Sequence, residues 1–593
     1  MTIKIEVNQF VIVIKRVIIL LCVAFFQFQV VMAEKPNIVF IITDDQGYGD
    51  FGFTGNPLIQ TPFLDKMAES CAQMTQFYVS PVCSPTRASL MTGRYHYRTG
   101  VTDTWKGRSM MKTEEVTLAE VLRDAGYATG LFGKWHLGDC YPMRPQDQGF
   151  EEVLMHKGGG IGQRSDPPGG EGKYTDPILF HNGKKVQEKG YCTDIYFDRA
   201  IEWISKQSKK GKPFFAYIST NAPHSPFHDV PLSWYDIYRK MDLRNKNVPQ
   251  AGYPLQTNEN NEQLDTRARI FAMISNIDEN VGKIQPRLKE LGILDNTMII
   301  FMSDNGPDGN RYNSGFRGAK TEVYQGGVRT PFLIEWPAQF KKPVSSPRVA
   351  AHIDIMPTLL EACGVSYEGE FDGRSFLSLL SEDKIEWPDR YLFIQAHRGV
   401  RPTTYHHSAV ITEEWKFVHP SGFHKEQFEG EPIFELYEIS KDPYEQKNVA
   451  ALYPEIVESM RGAYDTWLKE IDSSREGDYA MPSIHVGTKY ENPMVLTGQD
   501  QQAARGDRGP YWKLEVAYGG KYDIECLFGP KKNIEEVVLS VQGKKLKKVV
   551  ENGELIFKDI ELVKGPADLS VILHAGEKHK SVWQVEIRYK PGA

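Results

Sequence analysis

Between residues 36 and 335 the chain alternates short apolar runs with helical stretches, and four of the runs break off into polar clusters. Residues 37–42 lead to Thr43-Asp44-Asp45-Gln46-Gly47, and residues 128–132 lead to Gly133-Lys134-Trp135-His136. Residues 214–218 lead to Asn221-Ala222-Pro223-His224, and residues 298–302 to Ser303-Asp304-Asn305-Gly306. Runs this short and this uniformly apolar read as strands buried on both faces. Strands that alternate with helices predict an α/β fold, a large and mostly parallel sheet flanked by helices. In open sheets of this kind ligands bind beyond the carboxyl ends of the strands. All four clusters stand there, so they are expected to share one crevice.

Their chemistry is complementary. Asp44, Asp45, Asp304 and Asn305 offer only hard oxygen ligands, which suit Ca²⁺, or less readily Mg²⁺, rather than zinc. Lys134, His136 and His224 bring positive charge and proton-transfer capacity. Lys320 adds to them from the glycine-rich stretch Gly315-Phe316-Arg317-Gly318-Ala319-Lys320, which is able to approach a ligand closely. Cys83 opens the run Cys-Ser-Pro-Thr-Arg. Pro85 suits the start of a helix, residues 88–91 are good helix formers, and Gly93 is a plausible stop. Cys83 is therefore expected at a helix N-terminus, where free backbone N–H groups favour an anion.

A chain of 593 residues exceeds one simple core, and two or three domains are expected. The net charge of −7 argues against a nucleic-acid partner held by a broad basic surface. Lys4, Lys15 and Arg16 precede an apolar run over 17–31, and Val31-Met32-Ala33 offers small residues for cleavage. Residues 1–33 thus read as a signal peptide of an exported, periplasmic or extracellular protein. The run is short for a spanning helix and is interrupted by Gln27 and Gln29, so no stable membrane insertion is expected after cleavage. Cys22 would leave with the signal; the other six cysteines are far apart, and one or two disulfides stay open.

Taken together, these residues resemble the type I sulfatases of the alkaline phosphatase superfamily over roughly residues 36–450. The motifs occur in order: Asp44-Asp45, Cys83-x-Pro85-x-Arg87, Gly133-Lys134-Trp135-His136, Pro223-His224, Asp304-Asn305-Gly306 and Lys320. His352-x-Asp354 and Leu436-Tyr437 with Asp442-Pro443 are also similar to the family, as the start of a helix and a turn. The resemblance implies that a formylglycine-generating or sulfatase-maturing enzyme oxidises Cys83 to formylglycine (3-oxoalanine). It also implies a Ca²⁺ held by Asp44, Asp45, Asp304, Asn305 and residue 83. Arg87 would fix the formylglycine hydrate, and Lys134 and Lys320 would grip sulfate oxygens. His224 would protonate the leaving oxygen, and His136 would take the proton that lets the hemiacetal expel sulfate. Thr86 stands where serine is usual, and Gln325 where many relatives carry glutamate.

By the same resemblance residues 34–385 form the catalytic domain, and 386–475 a smaller α+β subdomain closing one side of the pocket. Arg398, His406 and His407 then become candidates for sugar contacts. The loop 156–170, rich in glycine and proline, either shapes the pocket or is plain surface. Residues 473–510 read as a linker. Beyond it, alternating apolar runs predict a β-sandwich-like domain to residue 593, with Trp512, Trp583 and Tyr522 packing its core more readily than stacking on carbohydrate. The expected activity is hydrolysis of a sulfate monoester, on a sulfated carbohydrate because export suits scavenging of polymers. The alternatives are a phosphoester or phosphonate hydrolase of the same superfamily, or a catalytically silent glycan-binding protein.

Overall fold

The computed structural model describes residues 35–592, apart from 168, 171, 382–385, 504–508, 529–535, 551–554 and 576–577. The predicted signal peptide lies outside the described residues. Ten strands form the central sheet: β1 (Asn37–Thr43), β2 (Ala72–Tyr78), β3 (Ala128–Lys134), β4 (Glu152–His156), β5 (Ile178–His181), β6 (Lys184–Gln187), β7 (Phe214–Ser219), β8 (Thr297–Ser303), β9 (Arg329–Glu335) and β10 (Val344–Ala351). Their order is β10-β2-β9-β8-β1-β7-β3-β4-β5-β6. The run β8-β1-β7-β3-β4 is parallel throughout, and antiparallel pairs occur only toward the two sides.

Every residue of β1 is buried because helices cover both faces of the sheet. Ile38, Phe40 and Ile42 face one core, shared with Ala88, Leu90 and Met91 of helix α1 (Cys83–Thr92). Val39 and Ile41 face the opposite core, with Ile195 and Phe197 of helix α2 (Cys192–Lys209) and Met273 and Ile277 of helix α3 (Asn261–Val281). This is the period-two pattern of a strand, and each fully buried large side chain contributes about 1.5–3 kcal/mol.

A second, antiparallel sheet of four strands follows at Leu392–Gln395, Ser408–Ile411, Trp415–His419 and Glu435–Glu438. Helix α4 (Pro454–Ser474) packs Met460, Tyr464, Trp467 and Ile471 onto it. Two further sheets, of six and four strands, enclose one core near the C-terminus. The stretch 473–510, which composition marks as a linker, is built into that sandwich by strands Ile484–Val486 and Met494–Thr497. Met110, Cys140 and Met143 of the first part of the chain complete the same core, so the sandwich is docked rather than tethered. Trp512 and Tyr522 are fully buried within it.

Cys71, Cys83, Cys140, Cys192, Cys363 and Cys526 are buried and unbridged among the described residues. No described helix is long and apolar enough to cross a membrane.

Candidate active site

Because β8, β1, β7 and β3 are neighbours, their carboxyl ends bring the four polar clusters side by side. Asp44 and Asp45 follow β1, Asp304 and Asn305 follow β8, His224 lies past β7, and Lys134 and His136 close β3. Helix α1 points its N-terminus at the same place, with Cys83 as its first residue; Gly93, in the left-handed region at φ 68°, ends it. Thr86 uses its hydroxyl to hold the approach to this helix, accepting from Ser80 N–H at 3.0 Å.

Each carboxylate faces one cation. Lys134 Nζ donates to Asp44 Oδ2 at 2.7 Å, and Lys320 Nζ to Asp45 Oδ2 at 2.6 Å. Arg87 forks onto Asp304 Oδ2 at 2.7 and 3.0 Å, and also donates to the Lys134 carbonyl at 3.2 Å and to Ser219 Oγ. Asn305 Nδ2 donates to Asp45 Oδ1 at 2.8 Å. Burial pushes the Asp304 carboxyl up to about 6, with the Asp44 charge adding to the rise. Burial raises Asp44 as well, against the pull of Lys134. Burial would raise Asp45 too, but the Lys320 and His224 charges outweigh it and hold the carboxyl well below the usual range.

Asp44 Oδ1 and Asn305 Oδ1 are buried and find no hydrogen-bond partner. Ligand atoms of Asp44, Cys83 and Asp304 lie within 4.8 Å of one another. Orphaned oxygens aimed at a carboxylate cluster fit a hard divalent cation.

Above this floor, Cys83 Sγ lies 3.3 Å from His136 Nδ1, and burial raises its thiol. His136 Nε2 is 2.8 Å from the Thr104 carbonyl, a contact that makes Nε2 the N–H and leaves the Nδ1 lone pair facing residue 83. Burial and the Lys134 charge hold its imidazole well below the ordinary value, and therefore neutral. His224 donates from Nδ1 to the Ser225 carbonyl at 2.8 Å, with Nε2 3.8 Å from Asp45 Oδ2. Burial, then Lys320, depresses it to about 4. Asp45 and His136 both hold positive φ, 63° and 62°, the backbone strain common where side chains are aimed at a reacting atom.

Cys83, His136, His224 and Lys320 line a cavity of 440 Å³ with Trp105, Arg164, Arg398, Gln499 and Trp583. Arg398 is anchored at the wall by Asp103 Oδ1 at 2.6 Å and Thr104 Oγ1 at 3.0 Å. His406 and His407 are not brought into the cavity. Both are buried with their ring nitrogens engaged, His406 by Ser421 Oγ and the Lys425 carbonyl, His407 by the Thr321 carbonyl and Gly422 N–H.

Residues outside the ordered motifs also build the site. Gly159 and Gly160 of the loop after β4 lie against the two imidazoles, so this loop shapes the pocket: a Cβ at 159 would sit 2.5 Å from His136 Cε1, and one at 160 would sit 2.9 Å from His224 Cε1. The Gly158-Gly159-Gly160 run was the available signal. Gln499, inside the presumed linker, donates to the Thr104 carbonyl at 2.5 Å and approaches His136 Nε2 at 3.1 Å. Arg311 pairs with buried Asp50 and donates to the Asp45 carbonyl at 2.9 Å, bracing that loop. Gln325 donates from Nε2 to Tyr78 Oη at 3.1 Å, while Glu445, which accepts its backbone N–H, pairs with buried Lys416.

Residues 36–365 match the family model "Sulfatase", and residues 318–465 match "N-sulphoglucosamine sulphohydrolase, C-terminal". Arylsulfatase A of Homo sapiens is 29% identical, over 72% of this chain and 87% of its own length. N-acetylglucosamine-6-O-sulfatase of Bacteroides thetaiotaomicron is 26% identical, over 70% and 83%. The crystal structure of Ps i-CgsB in complex with k-i-k-neocarrahexaose superposes with a TM-score of 0.60 at 26% identity, covering 73% of this chain and 93% of that one. The chain belongs to the sulfatase family, and its activity is that of a sulfuric ester hydrolase. Residues 466–593 lie beyond both family models.

Proposed function

We propose that the protein is an exported sulfatase that removes sulfate from a carbohydrate, with formylglycine made from Cys83 by a maturing enzyme and with Ca²⁺ as its cation. The observation that carries this reading is a 440 Å³ cavity lined by Cys83, His136, His224 and Lys320, with Asp44 and Asp304 beside Cys83 and paired to Lys134 and Arg87. Asp44, Asp45, Asp304, Asn305 and residue 83 would hold the cation. Once modified, residue 83 would offer a hydroxyl as the nucleophile toward sulfur, and the cation would supply positive charge beside the sulfate oxygens.

The side chains divide the remaining work. Lys134 and Lys320 offer charge-assisted hydrogen bonds to sulfate oxygens. Arg87 keeps Asp304 ionised and oriented. His136 presents its Nδ1 lone pair to residue 83 and is the base for a proton on that residue. His224 faces the cavity with Nε2, from which a proton would reach the departing sugar oxygen. Near 4, it is neutral in the free protein at pH 7. An anionic sulfate beside it raises its affinity for a proton. Lining residues Trp105, Arg398 and Trp583 suit a carbohydrate, as do two relatives, an N-acetylglucosamine-6-O-sulfatase and a carbohydrate-bound neighbour.

The test is turnover of sulfated mono- and disaccharides beside the matching phosphate esters, for the matured protein and Cys83→Ala. Preference for sulfated sugars, abolished in the variant, is expected. Faster phosphate turnover, or full activity in Cys83→Ala, overturns the reading.

A further inference from the structure

The C-terminal sandwich reaches the active site through Trp583, whose role differs from that of the other aromatic residues of that domain. Trp512 and Tyr522 are buried in the sandwich core, and Trp512 Nε1–H is satisfied by the Thr497 carbonyl at 2.7 Å. Trp583 is only half-buried, and it lines the cavity above Cys83. It precedes the strand Gln584–Lys590, and its Nε1–H donates to the Asp166 carbonyl at 2.9 Å. Gln584 Nε2 donates to the same carbonyl at 2.8 Å. Asp166 is itself held, its Oδ1 2.8 Å from His156 Nε2 and its Oδ2 accepting from Gly172 N–H at 2.8 Å.

The indole is therefore fixed at its polar edge by the protein, and its apolar faces are what it can offer the cavity. The same cavity is lined by Trp105, which is 45% exposed, and by Arg398, whose guanidinium lies 4.7 Å from the centre of the Phe423 ring. A rigid aromatic face in the same cavity as cationic and hydrogen-bonding groups matches a sugar ring, apolar on its C–H face and polar around its rim. We propose that Trp583 is a sugar-stacking platform, so that the sandwich is a wall of the substrate pocket rather than a separate carbohydrate-binding module. The inference rests on the carbohydrate reading above.

Steady-state kinetics on sulfated mono- and disaccharides, with inorganic sulfate as a competitive inhibitor, test it in the matured full-length enzyme. Trp583→Ala is expected to raise KM for sulfated sugars tenfold or more, while the inhibition constant of inorganic sulfate, which needs only the cationic floor, stays within twofold. Trp583→Phe keeps a ring but loses the N–H bond to Asp166, and should recover most of the affinity. An unchanged KM in Trp583→Ala overturns the platform. So does Trp583→Phe failing as badly as Trp583→Ala, since the anchor to Asp166 would then be all that matters. A wild-type enzyme that hydrolyses aryl sulfates but no sulfated sugar overturns the carbohydrate reading, and this inference with it.

Discussion

Gly159→Ala isolates the orientation of His136 from everything else in the site. The added Cβ would stand 2.5 Å from His136 Cε1 and 2.6 Å from Nε2, with Gln163 Oε1 at 3.1 Å. Ordinary carbon contacts begin near 3.5 Å, so the ring must retreat by roughly 1 Å. His136 is held by two contacts, Nδ1 to Cys83 at 3.3 Å and Nε2 to the Thr104 carbonyl at 2.8 Å, and such a shift forfeits at least one. A misplacement of this size costs on the order of 100-fold in turnover. The backbone at 159 lies outside the left-handed region, so alanine adds no φ strain, and a stiffer unfolded chain gains about 0.4–1 kcal/mol. The expected result is kcat about 100-fold down with a melting temperature near wild type. Gly462→Ala, in α4 with nothing within 4 Å, is the control and should only stabilise. A kcat for Gly159→Ala within about threefold of wild type would refute the steric argument.

Arg87→Lys keeps the charge but loses the fork that serves Asp304, the Lys134 carbonyl and Ser219, leaving buried acceptors unpaired at about 1–3 kcal/mol each. Denaturant titration should register the loss alongside reduced activity; wild-type stability would contradict it. Chelation should abolish activity, and Ca²⁺ added back should raise the melting temperature as well as restore turnover, since a ligand of the native state stabilises it. An unshifted melting curve in verified metal-free protein would speak against the site. His352 is buried beside Ser80 and depressed to about 3, by desolvation and then by His96 and Arg390. It is neutral when folded, whereas the unfolded chain takes up a proton below about 6.5. Stability is therefore lost as pH falls from there toward about 3, by about 1.4 kcal/mol per pH unit for this group. His352→Gln should flatten the pH dependence of unfolding by that amount, and an unchanged slope would count against it.

Much of the candidate site was legible because its polar residues sit at the ends of apolar runs. Asp44, His224 and Asp304 follow buried strands and Lys134 ends one, and neighbouring parallel strands then align them. Cys83 was legible from helix-start residues. What lay hidden depends on docking between distant segments. Gln499 meets His136 across 363 residues of sequence, from a polar stretch whose composition is that of a linker. Two short strands there take their stability from the sandwich core, not from local propensity. His406 and His407 look like ligand contacts in sequence, yet a hydroxyl, two carbonyls and a backbone N–H occupy their nitrogens. Trp512 lies within the strand Tyr511–Val516 and is buried in the core, whereas Trp583 stands just before the strand Gln584–Lys590 and lines the cavity, a difference that no alternation pattern reports.

The central claim is that Cys83 becomes the nucleophile, and the mass of the tryptic peptide 67–87 tests it most directly. In protein from a host that converts a control sulfatase, the expected peptide is about 18 Da lighter than its cysteine form, the thiol having become an aldehyde. An unmodified cysteine in fully active enzyme would contradict it.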